Sequence, residues 1–146
     1  MKTRHLNRVM AIDNQCYQTP WNKKTWQLAL RQTSLHGRIA VDPNKEIVGF
    51  IVFDLRKGCL EIIKLGVSPY SRRLGYASIL VTSAATIKTN TVSEEELPVT
   101  CMVDSEEIAS SEFLRSIGFK ARRIVRNWDN SGHDAYEFAA KLCHHQ

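Results

Sequence analysis

The stretch LEIIKLGVSPYSRRLGYASILVTSAATI, residues 60–87, joins an apolar, β-branched run to a run of small and apolar residues with helical character. Between the two sit adjacent arginines, Arg72 and Arg73, and then Gly75. Paired cations at a helix start oppose the helix dipole, whose N-terminal end is already positive, so the junction expects a negative group. A phosphate meets both the arginines and the exposed N–H groups of the first turn, and Gly75, lacking a side chain, lets the backbone approach it. Gly66 interrupts the preceding strand, where a glycine marks a bulge or the close approach of a ligand. Both signals point to a phosphate-bearing ligand at the end of one strand and the start of its helix.

Working outward, the segment from Arg4 to Tyr17 carries Leu6, Val9, Met10, Ile12 and Cys16 at helical spacing, with Asp13 and Asn14 outside that period. The run QTPW stops it, Asn22 is the N-cap of a second helix over 23–36, and Gly37 ends that helix. Then come RIAV, a turn at DPNK, EIVGFIVFDL, a turn at RKG and CLEIIKLGV, which read as an antiparallel meander. A helix from Gly75 to Lys88, a polar loop over 89–97 and the strand PVTCMV follow; strand, helix and strand make a right-handed crossover and a parallel pair. A second helix in DSEEIASSEFLRSIGF, capped by Asp or Ser and stopped at Gly118, leads to a closing hairpin, KARRIVRNW and HDAYEFAAKL about a DNSG turn. The expected fold is α+β: a mixed, mostly antiparallel central sheet with helices on both faces and one parallel strand-helix-strand crossover.

A length of 146 residues, 43% of them hydrophobic, predicts one domain over 1–146. The N-terminus has no apolar centre of a signal peptide and no run is long enough to span a bilayer, so the expected location is cytoplasmic. Cys16, Cys59, Cys101 and Cys143 are scattered and read as reduced. No metal is expected; the tail residues Cys143, His144 and His145 are the weak alternative. A formal charge of +5 favours anionic ligands or ribonucleoprotein surroundings, but the basic residues are dispersed and form no stripe of a nucleic-acid reader.

The order of elements, the motif Arg72-Arg73-Leu74-Gly75-Tyr76-Ala77 and the IGF at 117–119 together resemble the GNAT superfamily of N-acetyltransferases, whose acetyl-CoA signature is Q/R-x-x-G-x-G/A. AIDNQCYQTPW and VRNWDNSGHDAYEF are most similar to the ribosomal-protein alanine N-acetyltransferases, the RimI type. The strand that normally precedes the first helix of that family is short or missing in MKT, which would leave an exposed sheet edge and favour a homodimer. The resemblance implies acetyl-CoA as cosubstrate, with the N–H groups from Arg73 through Leu74, Gly75 and Tyr76 to Ala77 on the pyrophosphate and Arg72 beside it. It implies that Leu65, Gly66 and Val67 offer main-chain groups to the pantetheine arm and the thioester oxygen.

Acetyl transfer also needs a base near the acceptor amine and a proton donor near sulfur. Glu61, six residues before Val67, stands where the histone-acetylating branch places its base. The RimI type has a glutamate where this chain has Met102, a tyrosine general acid where it has Leu114, and an asparagine on pantetheine where it has Glu107. Tyr136 is the candidate replacement donor. His133 reads as a solvated turn residue, and Tyr17, Trp21 and Trp128 as acceptor groove or core. The implied acceptor is a protein N-terminal amine, such as a ribosomal protein's; a small-molecule amine, or a CoA-binding module without catalysis, are the alternatives.

Overall fold

The computed structural model describes residues 1–56, 58–86, 97–128, 130 and 132–142. The centres of the RKG turn and of the 89–97 loop, two residues of the DNSG turn, the end of the 75–88 helix and the Cys143-His144-His145 tail lie outside the described residues. Two helices open the chain, α1 (Leu6–Cys16) and α2 (Lys23–Arg31), followed by the strands β1 (Leu35–Val41), β2 (Ile47–Arg56) and β3 (Cys59–Val67). Helix α3 (Tyr76–Thr86), β4 (Leu97–Asp104), α4 (Ile108–Ser116), β5 (Lys120–Val125) and β6 (Ala135–Leu142) complete it.

The six strands form one sheet in the order β1-β2-β3-β4-β6-β5, with β3 and β4 parallel and every other neighbouring pair antiparallel. Helices α1 and α2 cover one face through Leu6, Val9, Ile12 and Trp26, packed on Phe50 and Val52. On the other face Leu80, Val81, Ala84 and Leu114 pack on Ile51, Phe53, Leu60 and Phe138. The meander, the crossover and the two-faced cover match the expectation from sequence.

Several local expectations are corrected. Asn22 does cap α2, its side chain accepting from the Thr25 N–H, but the helix ends at Arg31, and Leu35, His36 and Gly37 pair with Asp54, Phe53 and Val52 instead. Strand pairing there outweighs the helical spacing of the side chains. Asp104 stays in β4 and its carboxylate accepts the Glu106 N–H; the N-cap of α4 is Glu107, which makes no side-chain cap bond. Gly118, at φ +101°, ends α4 as expected. Among the described residues no strand precedes α1; a short 3₁₀ turn, Thr3–His5, stands there, and the Met1 amino group donates to the Gly37 carbonyl at 2.9 Å.

Two irregularities in β3 shape everything near it. The register against β2 slips between Val52 and Phe53, so that Val52 faces Lys64 while Phe53 faces Ile62, and Ile63 is the extra residue. Ile62 points into the α3–α4 core, whereas Ile63 joins the α1–α2 core and Lys64 reaches Asp13 of α1. Strict alternation would have put Lys64 on the same face as Ile62. Further on, β3 and β4 pair only over Leu60–Ile62 and Val99–Cys101, although β3 runs on to Val67 and β4 to Asp104. The two strands splay apart.

Candidate active site

A cavity of about 510 Å³ opens at this splay. Its walls are the loop after α1 (Tyr17 to Trp21), β3 at Ile63, Lys64 and Leu65, β4 from Cys101 to Asp104, α4 at Phe113 and Leu114, and Trp128 and His133 of the closing hairpin. Of the aromatic residues read as groove or core, Tyr17, Trp21 and Trp128 all line it.

The floor carries a buried ion pair. The Lys64 ammonium lies 2.5 Å from Asp13 Oδ1, with the lysine side chain 6% exposed and the aspartate fully buried. Asp13 Oδ2 accepts the Trp21 N–H and the Trp26 indole N–H, each at 3.0 Å. The ammonium sits 4.4 Å from the Tyr17 ring centroid and 4.9 Å from that of Trp21, within cation–π range. Burial lowers the Lys64 pKa, and the hydrogen bond and charge of Asp13 oppose the shift. Asp13, expected outside the buried face of α1, is thus at its centre, and Lys64 is a site residue that sequence reasoning missed. Its signal was a lysine in the middle of an apolar strand.

The splayed edge of β3 is met by side chains from α1 and its following loop. Tyr17 Oη accepts the Leu65 N–H at 3.1 Å and donates to the Leu65 carbonyl at 2.9 Å. Cys16 Sγ donates to the Val67 carbonyl, and Gln18 N–H donates to Glu107 Oε1 across the gap to α4. Burial is the main cause that raises the Tyr17 pKa above its ordinary value, so the hydroxyl stays protonated. Gly66 is explained by packing: a Cβ there would lie 2.8 Å from the Phe50 ring and 3.3 Å from Cys16 Sγ. The bulge sits three residues earlier, at Ile63.

Beyond Val67 the chain makes a 3₁₀ turn, Pro69–Ser71, and reaches α3 through two left-handed residues, Arg73 at φ +65° and Gly75 at φ +86°. The first i→i−4 bond of α3 runs from Ile79 N–H to the Gly75 carbonyl at 3.1 Å. The N–H groups of Tyr76, Ala77 and Ser78 therefore have no carbonyl within the helix to donate to. Open space surrounds the position a Gly75 Cβ would take, and Leu74 is exposed. Donors at an open glycine turn of this kind suit an anion. The Arg72 side chain turns back, its Nε donating to the Val67 carbonyl at 3.2 Å and its Nη2 to Cys16 Sγ at 3.5 Å.

Glu61 is half-buried on β3, opposite Asp54 of β2 and Thr100 of β4, and does not line the cavity. Its charge acts on the cavity wall even so: burial, with the Glu61 charge in the same direction, pushes the Cys101 thiol up to about 12. Tyr136 packs against the α3–α4 core, opposite Val103 and Ile124, also away from the cavity wall. Met102 and Leu114 do line it. His133, with its side chain 43% exposed, is solvated as expected and also has partners: its Nδ1 lies 3.1 Å from Asp104 Oδ2 and its Nε2 3.7 Å from Glu106 Oε2. These three side chains bring their ligand atoms within 4.8 Å of one another, close enough for an ion, but two of the three are exposed.

The chain thus has a sheet whose two central parallel strands part over a cavity, followed by a glycine turn into a helix whose first N–H groups have no carbonyl partner within the helix. The sequence profile of the acetyltransferase (GNAT) family matches residues 6–119, and the chain belongs to that family. A search of curated protein sequences finds no match. Among solved structures, the ribosomal-protein-S18-alanine N-acetyltransferase of Escherichia coli superposes with a TM-score of 0.75 at 18% identity, over 98% of this chain and 91% of that one. Ard1 of Thermoplasma volcanium gives a TM-score of 0.78 at 17% identity, over 97% and 94%. Arabidopsis thaliana NAA60 in complex with a bisubstrate analogue gives 0.74 at 16%, over 97% and 96%. At these identities the likeness is one of fold. No helix among the described residues is long and apolar enough to cross a membrane.

Proposed function

We propose that this protein transfers the acetyl group of acetyl-CoA to a primary amine, and that the amine is the N-terminus of a protein, as in the ribosomal-protein alanine acetyltransferases. The observation that carries the reading is the splay of β3 from β4, which leaves the main chain of Leu65 at the wall of a cavity large enough for an acceptor chain end. The fold likeness to an S18-alanine acetyltransferase and to NAA60 favours a peptide acceptor over a small amine.

In this reading the N–H groups from Arg73 to Ala77 hold the pyrophosphate, and Arg72 adds positive charge beside it. The pantetheine arm runs along Leu65, Gly66 and Val67, where an N–H aimed at the thioester oxygen stabilises the charge that develops there. Glu61 takes the proton of the acceptor amine through water, since it stands behind the cavity wall. Tyr136, the candidate donor to sulfur, packs against the α3–α4 core and is not on the cavity wall. A non-catalytic CoA-binding module is the second reading, favoured by Met102 and Leu114, which place no titratable group on the cavity wall where the RimI type has its glutamate and tyrosine.

Incubation of the protein and acetyl-CoA with peptides of varied N-terminal residue, read by mass spectrometry, tests the choice. A single acetyl on the α-amine of a peptide subset is the expected result. Firm CoA binding with no acetylated peptide and no acetylated small amine would move the assignment to the binding module.

A further inference from the structure

The cavity wall bears three hydroxyl side chains, Tyr17, Thr19 and Ser110, and among the described residues only that of Tyr17 is hydrogen-bonded to Leu65. We propose that Tyr17 is a catalytic residue whose hydroxyl is the second hydrogen-bond donor, beside the Leu65 N–H, to the oxygen of the reacting thioester. The inference rests on the acetyl-transfer reading above and concerns the carbonyl oxygen, not the sulfur acid whose position Leu114 fills.

The argument starts from occupancy. Leu65 lies past the last residue of β3 that pairs with β4, and both of its main-chain groups are satisfied by one phenol oxygen. That oxygen already occupies the acceptor position in front of the Leu65 N–H, which is the position a thioester carbonyl oxygen would take. When the carbonyl arrives, the phenol oxygen yields that place and shifts aside by about 2.8 Å, one hydrogen-bond length, so that the Leu65 N–H passes to the carbonyl oxygen and the Tyr17 O–H turns from the Leu65 carbonyl toward the same oxygen. Two donors then face the atom on which charge develops.

The surroundings suit a donor that never ionises. Burial keeps the phenol protonated through the working range of pH. The Lys64 ammonium over the ring face draws electron density from it, which strengthens the O–H as a donor. The loop is also held: Cys16 is bonded to Val67 and Gln18 to Glu107 on either side of Tyr17.

The step balances without net proton transfer from Tyr17. The amine nitrogen forms a bond to the carbonyl carbon, charge builds on the oxygen between Leu65 N–H and Tyr17 O–H, and the carbon–sulfur bond then breaks. The proton lost by the amine passes to the base, and the CoA thiolate takes one from solvent.

The test is steady-state transfer from acetyl-CoA to an α-amino peptide, followed by thiol release, with acetyl-CoA affinity measured separately by calorimetry. Tyr17→Phe should lower kcat by about 10² to 10³ while leaving the Kd for acetyl-CoA within about threefold. A Tyr17→Phe variant with wild-type kcat, whether or not it binds acetyl-CoA more tightly, would show the hydroxyl to be a plug or a bystander and would overturn the proposal. Site-specific 3-fluorotyrosine at position 17 keeps the shape and sharpens the acid, so it decides the matter if the phenylalanine variant does not fold. A kcat above wild type supports the donor role, and an unchanged kcat refutes it. If the wild-type protein acetylates no peptide or amine at all, the acetyl-transfer reading fails and this inference falls with it; an active wild type with an indifferent Tyr17 sinks the inference alone.

Discussion

Replacing Asp13 by asparagine should destabilise the protein out of proportion to its size. The carboxylate is fully buried, accepts two N–H bonds on one oxygen and holds Lys64 on the other. Asparagine can keep an acceptor for the Trp21 and Trp26 donors, so what it removes is the charge opposite a buried ammonium. Breaking one side of a buried pair costs about 3 to 5 kcal/mol. The loss has a ceiling, because Lys64 can shed its proton instead: moving a lysine from its ordinary pKa to neutrality takes about 4.6 kcal/mol. The expected loss of about 3 to 4.6 kcal/mol lowers the melting temperature by roughly 6 to 18 °C in a chain of this length.

The double variant Asp13→Asn/Lys64→Met removes both charges and should recover most of that loss, since a buried pair is replaceable by apolar volume. Urea denaturation of the four proteins of this cycle gives the coupling directly. The pH dependence supplies an independent check. Lys64 has a lowered pKa in the folded state, so between that value and its unfolded value the unfolded chain binds more protons, and this group makes stability rise with pH. Without Asp13 the lowering deepens and the rise begins at a lower pH. A loss under about 1 kcal/mol for Asp13→Asn, or strict additivity in the cycle, would refute the description of this pair.

Two further outcomes follow from the geometry. Gly75→Asp should abolish acetyl-CoA binding by calorimetry while Gly75→Ala only weakens it; both strain the φ of +86°, so the difference isolates the charge, and equal CoA affinity of the aspartate variant and wild type would remove the phosphate assignment. Glu137 is held below the ordinary carboxylate range by its hydrogen bond from Arg123, with Arg122 adding to it, so its contribution is present above the unfolded pKa and lost as pH falls through the folded one. Glu137→Gln should therefore cost about 1 kcal/mol at pH 7, reduced by the exposure of both arginines, and nothing in acid, as read by urea midpoints at the two pH values.

The elements legible in sequence were those in which local pattern and tertiary pairing agree. β3 was read with its exact ends because a β-branched run is bounded by Gly58 and Pro69, and the parallel crossover followed from the order of elements alone. The end of α2 was misread because Leu35 to Gly37 are claimed by β2, a pairing that no local signal announces. The junction at Gly75 was legible as a break between strand and helix, but its left-handed backbone, shared by Arg73, was not. Gly66 was not: the same residue type served the Phe50 ring, and a requirement for space looks alike in sequence whether a ligand or a side chain fills it. The contacts of His133 with Asp104 and Glu106 were not legible, because those residues are brought beside it only by the β4–β6 pairing.

The bulge at Ile63 is the step that joins the fold to the site. Without it, alternation would turn Lys64 toward the α3–α4 core, where Leu60, Ile62 and Phe138 offer no counter-charge. With it, Lys64 meets Asp13, and Asp13 in turn grips the amide of Trp21 and the indole of Trp26. One carboxylate thereby fixes the loop that carries Tyr17 to the strand that carries Leu65. The two hydrogen bonds between those residues are then made by groups with little freedom left to lose, which keeps the phenol beside the Leu65 N–H. The ion pair, whose net contribution to stability is small by comparison with apolar packing, therefore has its main consequence in position rather than in energy.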